Sequence, residues 1–333
     1  MNVAVVGATG VVGEALLNIL EKRQFPINNI YPLASSRSAG NSVLFKGRSV
    51  EVGRLDEFDF STTDLGLFAA GGSVSAEYAP KAVAAGCLVV DNTSYFRNDP
   101  EIPLIVPEVN LHALDKHQGI IANPNCSTIQ MVVALKPIYD AVGIHRINVA
   151  TYQAVSGAGR RAIEELAGQT AALLNGKKPT INVMSKQIAF NVIPEIDSFE
   201  DNGYTREEMK MVWETRKILE DETLMINPTT VRVPVFYGHS EAVHLETRDA
   251  VTAAEVRQLL SVAPGVTVID DHTPGGSPTA VTEAAKQDGV FVGRIREDIS
   301  CDRGINLWIV SDNVRKGAAL NSIQISEALL DRM

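Results

Sequence analysis

Cysteine is scarce in this chain. Its 333 residues include only three, Cys87, Cys126 and Cys301. They are far apart and odd in number, which excludes a disulfide framework and any close metal-ligand spacing. Few unpaired cysteines fit a reducing compartment. No apolar run reaches the roughly 18 residues that a membrane span needs. Met1-Asn2-Val3-Ala4-Val5-Val6-Gly7 carries no basic stretch ahead of its apolar residues, so no secretory signal is expected. These absences predict a cytoplasmic protein without membrane attachment. Positive charge is also short: 30 Lys+Arg against 40 Asp+Glu leave a net charge of −10. Bulk nucleic-acid binding is therefore not expected. Local basic residues can still gather around a small anion. Neither internal repeats nor low-complexity tracts occur.

What is present is an ordinary globular mix, 45% hydrophobic and 21% charged. It is enough for a sizeable core and about two domains. Residues 2–6 form a short apolar run before glycines, and Val12, Leu16, Ile19 and Leu20 then recur at helical spacing. Further apolar runs at 30–34, 65–70, 87–91 and 118–122 alternate with helical stretches near 75–85 and 127–142. This order predicts an α/β, doubly wound (Rossmann-like) domain. Beyond about residue 143 the texture changes. Segments 144–155, 229–248, 289–298 and 304–312 are long, β-branched and interleaved with polar residues, as in a mixed, largely antiparallel sheet. Helices are expected near 160–174, 205–219, 252–262 and 314–331, and a surface loop over 264–277. The expected division is a nucleotide-binding domain over 1–125, completed by the C-terminal helix 314–333, and an α+β domain over 126–313.

Gly7-Ala8-Thr9-Gly10-Val11-Val12-Gly13 joins the first strand to the first helix. Glycines there let the backbone approach a pyrophosphate, and the helix N-terminus offers free N–H groups. The second strand ends in Ser36-Arg37-Ser38 instead of the acidic residue that would bind a ribose 2′-hydroxyl. An arginine between two hydroxyls suits a 2′-phosphate, which favours NADP over NAD. A functionless glycine turn and a solvated loop arginine are the plain alternatives.

Asn123-Pro124-Asn125-Cys126-Ser127-Thr128 follows a strand and opens a helical run. A cysteine at a helix N-terminus has its thiolate favoured by the helix dipole and free N–H groups. The same groups can hold an oxyanion. From position alone, a buried structural cysteine is an equal alternative. Cys87 opens an apolar strand and Cys301 lies in a polar turn, so both are read as structural. Among six histidines only His239, in Tyr237-Gly238-His239-Ser240-Glu241, follows a strand and a glycine. Thr205-x-x-Glu208 reads as a capping box. Glu207 and Lys210, three apart, share a helix face, where an exposed intrahelical ion pair is the plain alternative to a site role. Arg232 precedes His239 by seven residues and is read on the same strand region; its fork could grip a carboxylate or simply pair at the surface.

Together these blocks resemble the aspartate-β-semialdehyde dehydrogenase family. The resemblance runs the whole chain. It rests on the Gly7–Gly13 turn, Ser36-Arg37, Tyr95-Phe96-Arg97, Asn123–Thr128, Tyr152-Gln153-Ala154-Val155-Ser156-Gly157-Ala158-Gly159, Tyr204-Thr205-x-Glu207-Glu208-x-Lys210, Arg232-Val233-Pro234-Val235, Gly238-His239-Ser240 and Ser311-Asp312-Asn313-x-Arg315-Lys316-Gly317. It implies NADPH-dependent reduction of L-aspartyl 4-phosphate to aspartate 4-semialdehyde and phosphate, at a branch point toward lysine or diaminopimelate, threonine, methionine and isoleucine.

The resemblance also implies roles. Cys126 forms a thioester, His239 acts as general acid/base and Gln153 orients the acyl group. Arg232 holds the α-carboxylate and Glu207 the ammonium. Lys210, Arg97 and Asn125 meet the phosphate or substrate. Gly7, Thr9, Gly10, Val11, Val12, Gly13, Ser36, Arg37 and Ser38 bind NADP, with Ser156, Gly157 and Asn313 at its nicotinamide. A homodimer built on the second domain's sheet is implied as well. His244 and Leu245 depart from the family pattern, away from the chemistry. The competing expectations are N-acetyl-γ-glutamyl-phosphate reductase, from which Glu207 discriminates, and a non-catalytic NADP-binding relative. A short-chain reductase would need a Tyr-x-x-x-Lys pair that is not found.

Overall fold

The computed structural model describes residues 1–332. It divides into two compact units, Met1–Asn125 with Ala318–Met333, and Cys126–Gly317.

The first unit opens with strand β1 (Asn2–Val6) and helix α1 (Val11–Lys22). Strands β2 (Asn29–Ala34), β3 (Ser42–Phe45), β4 (Arg48–Glu51), β5 (Gly53–Arg54) and β6 (Leu65–Phe68) follow. Then come α2 (Gly72–Ala84), β7 (Leu88–Asp91), the short α3 (Pro107–Asn110) and β8 (Ile120–Ala122). Six strands form one sheet in the order β5-β2-β1-β6-β7-β8, and every pairing in it is parallel. Strands buried on both faces need apolar residues on both sides, and Leu65–Phe68 is buried at every position. Val3, Val5, Leu16, Ile19, Leu20, Leu67 and Ile323 share one core. The small β3–β4 hairpin was not anticipated, because its residues are half exposed and alternate only weakly.

The second unit begins with α4 (Cys126–Val142) and continues through β9 (Ile144–Gln153), α5 (Arg160–Leu174), α6 (Arg206–Leu219), β10 (Met225–Arg232) and β11 (His239–Thr247). It ends with α7 (Ala253–Ser261), β12 (Val266–Val268), β13 (Val290–Glu297) and β14 (Gly304–Ser311). In the first unit again, α8 (Leu320–Leu330) closes the chain. The second sheet runs β10-β9-β11-β14-β13-β12. It is mixed: β10 pairs β9 and β12 pairs β13 in parallel, and the other pairings are antiparallel. Helix α6 begins with the expected capping box, Thr205 and Glu208 each closing on the other's backbone N–H.

Two expectations need correction. Arg232 and His239 do not share a strand region. The segment 229–248 is two strands, and β9 lies between them in the sheet. Val233-Pro234-Val235 breaks the run, because proline cannot donate to a ladder. Likewise 264–277 is not loop throughout: Val266–Val268 adds an edge strand to β13, three residues too short to show a period.

Candidate active site

Register assembles the site. Arg232 pairs with Gln153 across β10 and β9. Ser240 pairs with Tyr152 across the antiparallel β11 and β9, which brings His239, one step further, level with Gln153. Side chains in a strand alternate between faces. Arg232, Gln153 and His239 thus form one transverse row on the sheet's covered face, and all three are buried.

The row is tied together through the backbone of Ala154. Arg232 Nη1 donates to the Ala154 carbonyl at 2.8 Å, and the Ala154 N–H donates to His239 Nδ1 at 3.0 Å. Gln153 accepts from the Thr151 hydroxyl at 3.1 Å and donates from Nε2 to Glu207 Oε1 at 3.0 Å. Its Nε2 also lies 3.5 Å from His239 Nε2. Glu207 is buried, not half of an exposed intrahelical pair. Lys210 reaches Glu207 Oε2 at 3.0 Å and Asp197 Oδ2 at 2.8 Å.

Cys126 is the first residue of α4 and is partly exposed, the two properties a helix-terminal nucleophile needs. Gly317 lies against it: a Cβ there would stand 2.8 Å from Cys126 Cβ. Gly157 leaves room at the row itself, since its Cβ would come within 3.0 Å of Arg232 Nη1 and 3.5 Å of His239 Nε2. Cys87 is a poor rival. Burial, with a smaller contribution from Asp64, pushes its thiol up to about 12.

Burial sets the electrostatics. It lowers the Arg232 pKa, which the negative charges of Glu207 and Cys126 partly restore. Burial, then Arg232, push His239 down to about 3, so the imidazole is neutral at working pH. Burial opposes the charge of Lys210, yet Glu207 and Asp197 outweigh it and raise its pKa. Glu241 shares the face of His239 two residues on. Burial raises its pKa well above the carboxylate range, with only the Gln130 amide opposing.

Ser156 and Asn313 hold each other. The Asn313 amide donates to Ser156 Oγ at 2.9 Å, and its carbonyl oxygen accepts the Gly238 N–H at 2.9 Å, steadying the turn before His239. Asp197, Thr151, Gly317 and Glu241 were not singled out from sequence. Only Glu241 carried a usable signal, its two-residue step from His239. Asp197 reaches Lys210 from a left-handed turn, φ 72°, that nothing in the sequence marks.

In the first unit, Arg97 is buried and its Nη2 donates to the Asn92 carbonyl at 2.8 Å. Asn125 is buried too. At the glycine turn, Gly7 has φ 88° and a Cβ there would meet Ala69 backbone at 2.9 Å, while one on Gly13 would meet the Gly7 carbonyl at 2.2 Å. No side chain caps the start of α1, so its first-turn N–H groups are not closed by a side chain of the cap residue Gly10. A turn of this shape fits a dinucleotide pyrophosphate. Thr9, Val11 and Val12 are partly exposed around it; Ser36 and Arg37 are exposed and Ser38 partly so at the end of β2. Among the described residues, no cluster of His, Cys, Asp and Glu could hold a metal. Among the same residues, no helix is long and apolar enough to cross a membrane.

Residues 2–117 match the semialdehyde dehydrogenase NAD binding domain, and residues 135–316 the semialdehyde dehydrogenase dimerisation domain. The first unit is thus a nicotinamide-dinucleotide domain. Aspartate-semialdehyde dehydrogenase of Legionella pneumophila is 64% identical over 99% of this chain and 95% of its own. Aspartate-semialdehyde dehydrogenase 2 of Vibrio cholerae is 58% identical over 99% and 97%. The crystal structure of aspartate semialdehyde dehydrogenase II from Vibrio cholerae, complexed with ASA, superposes with a TM-score of 0.97 at 57% identity, covering 99% and 98% of the two chains. A Candida albicans aspartate semialdehyde dehydrogenase structure with NADP has a TM-score of 0.78 at 27% identity, covering 98% of each chain. Domain order, a row of buried polar residues on the second sheet and full-length identity agree: this chain belongs to the aspartate-semialdehyde dehydrogenase family.

Proposed function

We propose that this chain catalyses the NADP-linked interconversion of L-aspartyl 4-phosphate and L-aspartate 4-semialdehyde with phosphate, through a thioester on Cys126. The Arg232–Gln153–His239 row, with Glu207 beside it, carries the reading. It offers a guanidinium fork for an α-carboxylate, a carboxylate for an α-ammonium and fixed polar groups for an acyl oxygen. An amino acid acylated at its far end presents those three groups.

In this reading Cys126 attacks the acyl carbon, with its negative charge stabilised by the α4 N-terminus and Arg232. Gln153 orients the acyl group, and His239 acts as the general acid/base. Lys210 is the second unit's phosphate ligand; Arg97 and Asn125 are the first unit's candidates. Gly7, Thr9, Gly10, Val11, Val12 and Gly13 would hold the pyrophosphate. Ser36, Arg37 and Ser38 would take a 2′-phosphate, which favours NADP. Ser156, Gly157 and Asn313 would flank the nicotinamide. When bound, the cofactor supplies or accepts the hydride. Residues 1–125 with the C-terminal helix serve the cofactor in this scheme, and 126–313 the substrate and dimerisation. A homodimer would use the sheet face away from α4, where Tyr152 and Trp308 pack at 5.6 Å and Tyr152 is 38% exposed.

Phosphate-dependent reduction of NADP by aspartate semialdehyde tests the proposal. Turnover is expected with wild type and none with Cys126→Ala, which should still bind NADP. If only N-acetylglutamate semialdehyde reacted, the substrate assignment would be wrong. Turnover retained by Cys126→Ala would remove the thioester.

A further inference from the structure

We infer, resting on the reading of Arg97 as a phosphate ligand given above, that Asp91 is a positioning residue. Acting through Thr93, it fixes the loop that carries the Arg97 guanidinium and so sets the affinity for phosphate. Asp91 is the last residue of β7. It stands at the carboxyl end of a parallel strand, where open α/β sheets bind ligands. It is wholly buried, and no step of the chemistry above uses it. A buried carboxyl group is costly unless its oxygens are hydrogen-bonded, so its partners must account for its presence.

Both oxygens are engaged. Oδ1 accepts the Ser75 hydroxyl of α2 at 2.7 Å and the Thr93 N–H at 3.0 Å, and Oδ2 accepts the Thr93 hydroxyl at 2.8 Å. The Thr93 oxygen in turn accepts the Tyr95 N–H at 3.4 Å. Arg97 follows two residues on. Beyond Asp91 the chain has no helix or strand until α3 begins at Pro107, so no regular ladder of backbone bonds holds these residues. The Asp91–Thr93–Tyr95 chain of hydrogen bonds takes that place. Burial raises the Asp91 pKa, while Ser75, Thr93 and the charge of Arg97 oppose the rise. The guanidinium therefore stands close enough to act on the carboxyl group.

The far end of the Arg97 side chain has its own anchor. Nη2 donates to the Asn92 carbonyl at 2.8 Å. Asn92 is pinned in turn. Its N–H and its Nδ2 both donate to the Phe68 carbonyl, at 2.9 and 3.1 Å, and its Oδ1 accepts the Ser322 hydroxyl of α8 at 2.7 Å. Asn92 thus holds the guanidinium, and Asp91 holds the backbone from which it extends. An arginine meets phosphate through a planar fork whose aim matters. If the backbone end drifts, the fork loses that aim. The proposed ligands of the amino-acid end, Arg232 and Glu207, and the glycine turn for the cofactor have no bond to this loop in their hydrogen-bonding described above. Loosening it should therefore show in one Michaelis constant and spare the others.

The test is steady-state kinetics of the full chain in the phosphate-dependent direction, with KM measured separately for phosphate, aspartate semialdehyde and NADP. Thr93→Val keeps the side chain's shape and loses both hydroxyl bonds. It should raise the KM for phosphate by about tenfold, the size of one hydrogen bond to a charged group, and leave the other two unchanged. Thr93→Ser restores the hydroxyl and should restore the phosphate KM. The rise in melting temperature that phosphate induces reads binding without turnover; it should shrink in Thr93→Val and return in Thr93→Ser. An unchanged phosphate KM in Thr93→Val, an equal rise in all three constants, or no recovery in Thr93→Ser overturns the inference. Arg97→Ala separates the two readings. A raised phosphate KM there, beside wild-type values in Thr93→Val, defeats the positioning role alone. An unchanged phosphate KM in Arg97→Ala removes the phosphate assignment, and the inference with it.

Discussion

Gln153 donates from Nε2 to Glu207 Oε1 across 3.0 Å, so the residue assigned to the acyl group is aimed by the one assigned to the ammonium. Gln153→Glu would set two carboxylates at that distance, and like charges so close cannot both ionise cheaply. We expect kcat/KM to fall by about 10²-fold, the size of a carboxylate pair's coupling. Steady-state kinetics in the phosphate-dependent direction measures this. A near-wild-type value would mean that the contact does not govern catalysis.

Arg232→Lys keeps the charge and loses the planar fork. It also loses the geometry that ties Arg232 to the Ala154 carbonyl at 2.8 Å. The expected outcome is a KM for aspartate semialdehyde raised by roughly 10–100-fold, with kcat less affected, as for a lost bidentate contact. Unchanged KM would take the α-carboxylate away from Arg232.

Gly317→Ala should press on Cys126 from behind. The new Cβ would stand 2.8 Å from Cys126 Cβ and 3.3 Å from its Cα, so the start of α4 must move. Overpacking of this kind costs about 1–3 kcal/mol. Iodoacetamide labelling of Cys126 should slow, and the melting temperature should fall. Gly168→Ala is the control. It lies inside α5 with nothing near its Cβ position, and should stabilise by about 0.5–1 kcal/mol. Equal effects from the two substitutions would deny any pressure on Cys126.

Glu241 gives a pH prediction. Its folded pKa is raised well above the ordinary value. The unfolded chain therefore ionises it first. The contribution is complete below the unfolded pKa and is lost as pH rises toward the folded one, at up to about 1.4 kcal/mol per pH unit. Glu241→Gln removes this linkage while keeping size and neutrality. Its melting temperature relative to wild type should rise between acidic and mildly alkaline pH. A constant difference across that range would show that Glu241 ionises in the folded protein. His239 has the opposite sign: its depressed pKa costs stability as pH falls from its unfolded value toward about 3.

Much of the first unit was legible because its signals are local. The β1–glycine turn–α1 unit needs only neighbouring residues, and Cys126 stands at the head of α4 as its flanking strand and helix implied. The second sheet hid more. Gln153, Arg232 and His239 come from three strands whose alignment depends on long-range pairing, and a strand's own two-residue period does not state its register. The placement of Arg232 and His239 on one strand region failed for that reason. Glu207 looked like half of a surface pair until the sheet buried it. Asp197 could not be found, because its role depends on a left-handed backbone at a residue that is not glycine.

The transverse row also limits how this chain can vary in length. A single residue inserted into β9 between Ile144 and Tyr152, or into β11 before its bulge at Glu246/Thr247, would turn one member of the row to the opposite face and leave its partners in place. Loops between the strands are free of that constraint. Relatives should therefore differ in loop length around a core of three strands whose residue counts from row to bulge are fixed.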